Sequence, residues 1–84
     1  MTEEQLIEAG DQAEFLLGND VFNSTINSLV DATFQTFVST KHDDQASREA
    51  AYYSYRALVE VVNTLRQRVA VRDEINQRDN SGEE

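Results

Sequence analysis

The chain contains no cysteine and no proline, and only three glycines among its 84 residues. Without cysteine, neither a disulfide framework nor a thiolate zinc site can stabilise it. A domain this small buries only a modest core, so helix packing and self-association remain as its sources of stability. The scarcity of proline and glycine, the two strongest helix breakers, favours long helices.

Positive charge is missing from the first part of the chain. Residues 1–40 carry seven carboxylates and no Lys or Arg, whereas residues 41–84 carry nine carboxylates and all seven bases, for a net charge of −9. Such a first half repels phosphates, so we predict no direct binding of duplex DNA. The acidity either keeps the protein dissolved or forms a face that docks on a basic partner.

Long apolar runs are also missing. No stretch approaches the ~20 residues that span a bilayer, so no membrane association is expected. The N-terminus begins Met-Thr-Glu-Glu-Gln, without the basic and apolar segments of a secretion signal. We therefore expect an intracellular protein.

Apolar residues recur at helical spacing in three segments, at about residues 3–17, 21–38 and 44–77. Thr2 and Gln5 can form a capping box at the start of the first segment. Asp20 is the predicted N-cap of the second segment, and Asp43 or Asp44 that of the third. Gly10 weakens the first helix by ~1 kcal/mol relative to Ala.

The predicted fold is all-α. We expect a helical hairpin in which two shorter helices pack in series on one long C-terminal helix. Residues 1–77 would form a single helical domain, and residues 78–84 a polar, frayed tail. The predicted core contains Leu29, Phe34, Leu58 and Leu65.

The third helix has more apolar surface than two short helices can cover. Its excess surface is a predicted interaction face formed by Tyr52, Tyr55, Val59 and Val62. Either the tyrosines widen the core of a monomer, or this face binds a second copy or another protein. The small size of the chain favours a homo-oligomer, with a two-fold dimer as the simplest arrangement.

Signals for catalysis and ligand binding are weak. His42 lies beside Asp43, with Ser39 and Ser47 nearby, but adjacency along the chain does not create a catalytic triad. A glycine-rich phosphate loop, a His-Glu-x-x-His motif and EF-hand spacing are all missing. We predict a protein that is not an enzyme and has no cofactor and no metal site.

The arginines of the third helix have two interpretations. Arg66, Arg68 and Arg72 are close in sequence and could contact nucleic acid. Acidic residues interrupt them and no aromatic side chain is interleaved, which favours a solvated, salt-bridged face.

A longer pattern extends over residues 10–69. It opens with Gly10-Asp-Gln-Ala-Glu-Phe-Leu-Leu-Gly-Asn, continues with Ser47-Arg-Glu-Ala-Ala-Tyr-Tyr and closes with Arg56-Ala-Leu-Val-Glu-Val-Val-Asn-Thr-Leu-Arg. The pattern resembles small helical proteins encoded by tailed bacteriophages and prophages, often near virion-structure genes. Their opening resembles G-x-x-A-E-x-L-L-x-[DN], and their later part resembles R-E-x-x-[WY].

The resemblance implies a phage-encoded interaction protein that acts in virion assembly or is associated with the virion. Its expected location is the host cytoplasm. The same resemblance implies the virion as a second location. Its expected partner is a phage structural protein or a host protein. The alternative function is that of an acidic inhibitor, which mimics DNA and binds a host nucleic-acid-binding protein.

Overall fold

A computed structural model describes the backbone of residues 1–82 and the side chains of residues 1–79. It contains three helices, α1 (Glu3–Leu17), α2 (Asp20–Ser39) and α3 (Gln45–Gly82), and residues 1–82 include no strand. Both α1 and α2 pack against the long α3. The predicted all-α hairpin, with two shorter helices on one long helix, is therefore confirmed.

Local sequence signals set the starts of α1 and α3. The backbone N–H of Gln5 donates to Thr2 Oγ1 at 3.2 Å, and that of Thr2 donates to Gln5 Oε1 at 3.0 Å, which completes the predicted capping box. At α3, the Ser47 N–H donates to Asp44 Oδ1 at 3.1 Å. Hydrogen bonds from Ser47 lower the pKa of Asp44, so this cap is strongest when the carboxylate is ionised.

Two predicted boundaries differ from the observed ones. Asp20 lies in the first turn of α2 instead of preceding it, and α3 continues to Gly82. Residues 78–82 are therefore helical where the sequence predicted a polar tail, and residues 83–84 of that tail lie outside the described part of the chain. No proline interrupts this stretch, and a helix can continue through polar residues when nothing breaks it.

The chain divides into two compact units. The first unit contains Met1–Asn19 and the chain from Val62 onward, so α1 packs there on the C-terminal half of α3. Its core is formed by Ala13 and Ile75, which are almost completely buried, and by Leu65, whose predicted burial is confirmed.

Gly10 lies at a close approach of α1 to α3. A Cβ atom at this position would lie 2.4 Å from the Cβ of Arg72 and 2.8 Å from the backbone oxygen of Arg68. Both atoms are fixed to the α3 backbone, so neither can rotate away. Gly10 therefore lowers the intrinsic helix propensity of α1, but its lack of a side chain allows α1 to pack against α3.

The second unit, Asp20–Val61, pairs α2 with the N-terminal half of α3. None of the 20 residues of α2 is buried, and Ala51 is the buried hydrophobic residue of α3 in this unit. The prediction that Leu29 and Phe34 are core residues is wrong, since they are 46% and 58% exposed, and Leu58 is only half-buried. A helix pair meets along one line, so a wide apolar stripe remains largely uncovered.

The loop between α2 and α3 is held by α3 itself. The Arg48 guanidinium donates to the carbonyl oxygens of Lys41 at 2.8 Å and His42 at 3.1 Å. The backbone N–H of Asp44 also donates to the Lys41 carbonyl at 3.0 Å. These bonds satisfy carbonyls beyond the end of α2 and fix the turn that starts α3.

Candidate interaction surface

An open groove whose lining includes four aromatic side chains lies between α2 and α3 in the second unit. It has a volume of about 500 Å³. We call it the aromatic groove, and its defining residues are Val30, Phe34, Phe37, Tyr52 and Tyr55. The four aromatic residues are each 44–58% exposed. Aromatic rings supply large contact areas at protein interfaces, so this surface is suited to binding an apolar partner.

The aromatic groove has a polar edge. Asn27 and Asp31 line it together with the aromatic side chains, and both residues are exposed. The groove therefore combines apolar area with one carboxylate. Such a combination can orient a partner that places a base beside its apolar side chains.

A second open groove lies between the same two helices and has a volume of about 640 Å³. It shares Thr33 and Ala51 with the aromatic groove. Its other described lining residues are Leu29, Ala32, Thr36, Ser47, Ala50, Ser54, Ala57, Leu58 and Val61. None of these described residues carries a charge, so we call it the charge-free groove.

The four residues of the predicted interaction face lie in different surroundings. Tyr52 and Tyr55 line the aromatic groove. Val59 is half-buried and lines neither groove, and Val62 is half-buried and belongs to the first unit. The four residues therefore do not lie within one compact unit.

Phe34 and Phe37 of α2 line the candidate site, although the sequence analysis placed Phe34 in the core. The hydrophobic periodicity of α2 identifies its apolar face. It cannot tell whether that face is covered by the same chain. The sequence did contain a signal for exposed aromatic residues, namely more apolar surface on α3 than its partner helices can cover. The same reasoning applies to α2.

In the first unit, Arg72 is the centre of an ion-pair cluster. Its guanidinium contacts Asp11 at 2.9 Å, Glu14 at 3.0 Å and Asp73 at 2.8 Å, and its side chain is only 11% exposed. The hydrogen bond and charge of Arg72 lower the pKa of Glu14, and the three carboxylates raise the pKa of Arg72. Arg72 thus joins α1 to α3.

The described residues contain no cluster of three or more His, Asp or Glu side chains arranged to hold a metal ion. None of the described helices is both long enough and apolar enough to cross a membrane. The exposed aromatic side chains of the second unit make its apolar surface the candidate site. The chain matches no protein-family model, no curated protein sequence and no solved structure.

Proposed function

We propose that the chain is a non-enzymatic interaction protein that binds another protein through the aromatic groove. The observation that carries this proposal is the exposure of Phe34, Phe37, Tyr52 and Tyr55 along one groove. Contiguous exposed apolar surface on a small protein marks an interaction site, because its exposure to water opposes stability and solubility. Aromatic side chains of this kind dominate the binding energy of many interfaces.

The favoured partner is an amphipathic helix that carries a base beside its apolar face. An open groove between two helices matches the shape of a third helix, whose side chains at i, i+3, i+4 and i+7 can enter it. Asp31 at the edge provides a partner for a Lys or Arg. The net charge of −9 attracts the same kind of partner at long range.

The resemblance to proteins of tailed bacteriophages supports a role in virion assembly or in the virion. Under this proposal the partner is a phage structural protein, and the complex forms in the host cytoplasm. Assembly proteins need a binding surface more than a catalytic centre, which agrees with an apolar groove as the main feature of the second unit.

The alternative of an acidic DNA mimic has less support. Arg72 pairs with Asp11 and Glu14, and Arg78 lies 3.4 Å from Glu3. Three of the five carboxylates of α1 thus already have a cationic partner within the first unit. A surface that imitates DNA phosphates needs carboxylates that are free to meet an incoming basic protein.

Affinity purification from phage-producing cells, followed by mass spectrometry, tests the proposal. We expect a capsid, portal or tail protein to be retained by the wild type and largely lost with Tyr55→Glu. Phe15→Glu is the matched control, because Phe15 is also aromatic, is 70% exposed and lines neither groove. Retention of the same structural protein by Tyr55→Glu would contradict the role of the aromatic groove. Capture of a host DNA-binding protein by all three forms would instead support the acidic inhibitor.

A further inference from the structure

We infer that the charge-free groove is the seam on which a second copy of this chain packs. The inference deepens the proposed interaction function, because it names one partner and gives it a surface separate from the aromatic groove. Four observations carry it: the exposed area, the spacing of the lining residues, their sizes and their lack of charge.

The exposed area is large enough for a dimer. The chain exposes 6496 Å², whereas a folded monomer of 9.5 kDa exposes about 5,000 Å². The difference is about 1,500 Å², and a standard interface removes only about 800 Å² from each partner. The chain as a whole therefore exposes enough surface for such an interface, and the lining residues of the groove give its position.

The residues that α3 contributes follow the repeat of a helix–helix seam. Ser47, Ala50, Ser54, Ala57 and Val61 are separated by intervals of three, four, three and four residues. This is the spacing of positions that face a neighbouring helix in a left-handed helix pair. The covering α2 leaves this row open, since Ala50, Ser54, Ala57 and Val61 are all exposed.

The sizes of the lining side chains make the groove self-complementary. Ala50, Ser54 and Ala57 are short and allow the backbones of two α3 helices to approach closely. Leu29 and Leu58 lie in the same groove and are large. In a two-fold pair each copy presents both kinds of residue, so the leucines of one copy fill the space left by the short side chains of the other.

The absence of charge decides between the two grooves. Two copies together carry a net charge of −18, twice the −9 of one chain, so their seam must avoid bringing carboxylates together. No described residue of the charge-free groove is ionisable. A two-fold contact through the aromatic groove would place Asp31 of both copies in one interface, where like charges are unfavourable.

Sedimentation velocity on the full chain tests the seam. We expect a wild-type dimer at micromolar concentrations that tightens with added salt, because salt screens the repulsion between two acidic copies. Ala57→Glu should weaken dimerisation by about tenfold or more, since it puts a carboxylate into the seam. Ala57 is exposed in the single chain, so this substitution leaves the monomer able to fold. Gln45→Glu is the matched control, because Gln45 is exposed, lines neither groove and lies on the opposite side of α3 from this row.

Cysteine cross-linking provides a second readout. The chain has no cysteine of its own, so Ser54→Cys introduces a single thiol at the middle of the row. Near the two-fold axis it should form a disulfide-linked dimer on mild oxidation, whereas Gln45→Cys on the opposite side of α3 should not.

Two results would overturn the inference. One is a wild type that stays monomeric at high micromolar concentration in both low and moderate salt. The other is a dimer that survives Ala57→Glu but is lost with Tyr55→Glu, since that would place the seam in the aromatic groove. The proposed function is refuted by a different result. It predicts that Tyr55→Glu loses the structural partner whether or not the chain dimerises, so retention of that partner would refute the proposed function and not the dimer.

Discussion

Replacing Gly10 by Ala adds one methyl group that has two opposing effects on the stability of the fold. In an isolated helix the substitution is stabilising by ~1 kcal/mol, because Gly has the greater conformational freedom in the unfolded chain. In this protein the new Cβ would lie 2.4 Å from Arg72 Cβ and 2.8 Å from the Arg68 carbonyl oxygen. Contacts this short force α1 to move away from α3.

The net effect of Gly10→Ala should be destabilising. Overpacking of a well-packed contact costs about 1–3 kcal/mol, and here the upper part of that range applies, because both contacting atoms are fixed to the α3 backbone. Subtracting the gain of ~1 kcal/mol in helix propensity leaves a loss of about 1–2 kcal/mol. For a domain of this size that lowers the melting temperature by about 4–16 °C.

Gly18→Ala is the control for this experiment. Gly18 ends α1 with φ −92° and ψ −1°, and a Cβ there would lie 3.5 Å from the Glu14 carbonyl oxygen, which is an ordinary contact. The substitution should be neutral or stabilise by up to ~1 kcal/mol. Thermal melts of both variants at one protein concentration are the assay. If Gly10→Ala raised the melting temperature as Gly18→Ala does, the close approach of α1 to α3 would be refuted.

Three further predictions concern the core, pH and the groove. Leu65→Ala should lower the free energy of unfolding by about 2–5 kcal/mol in denaturant titrations, because it empties a buried site; an unchanged midpoint would contradict this burial. Arg72 holds the pKa of Glu14 below its ordinary value of 4.5. The ion pair between them therefore stabilises the fold fully above pH 4.5, and this stabilisation is lost as the pH falls through the lowered pKa. The stability difference between wild type and Glu14→Gln should therefore shrink in acid, and a constant difference from pH 7 to pH 3 would disprove the linkage. Asp31→Lys should weaken binding of an amphipathic peptide with lysines beside its leucines, and strengthen binding of the matching glutamate peptide, as measured by fluorescence anisotropy; equal changes for both peptides would exclude Asp31 from the site.

Features fixed by neighbouring residues could be predicted from the sequence. The capping box of Thr2 and Gln5 and the cap of Asp44 each depend on groups three residues apart, so the starts of α1 and α3 followed from local chemistry. The end of α3 did not, because polar composition in residues 78–82 resembles both a frayed tail and an exposed helix.

Features that depend on distant residues could not be predicted. Arg72 and Asp11 are 61 positions apart, and nothing in the spacing of either residue indicates the other. Gly10 illustrates the same limit, since helix propensity describes its effect on α1 alone. For Phe34 the periodicity of α2 identified an apolar face correctly, but coverage of that face depends on what lies beside it.

The separation of α1 from its packing partners along the chain has a consequence for biosynthesis. A ribosome makes α1 before Leu65, Arg72 and Ile75, which complete its unit. Until those residues are made, the apolar face of α1 has no part of α3 to pack on, whereas α2 needs α3 only as far as residue 61. Chains that end before residue 65 should therefore be cut within α1 by a brief protease pulse, and chains that extend through residue 82 should resist it. Equal cleavage of both would mean that α1 gains no protection from Leu65, Arg72 and Ile75.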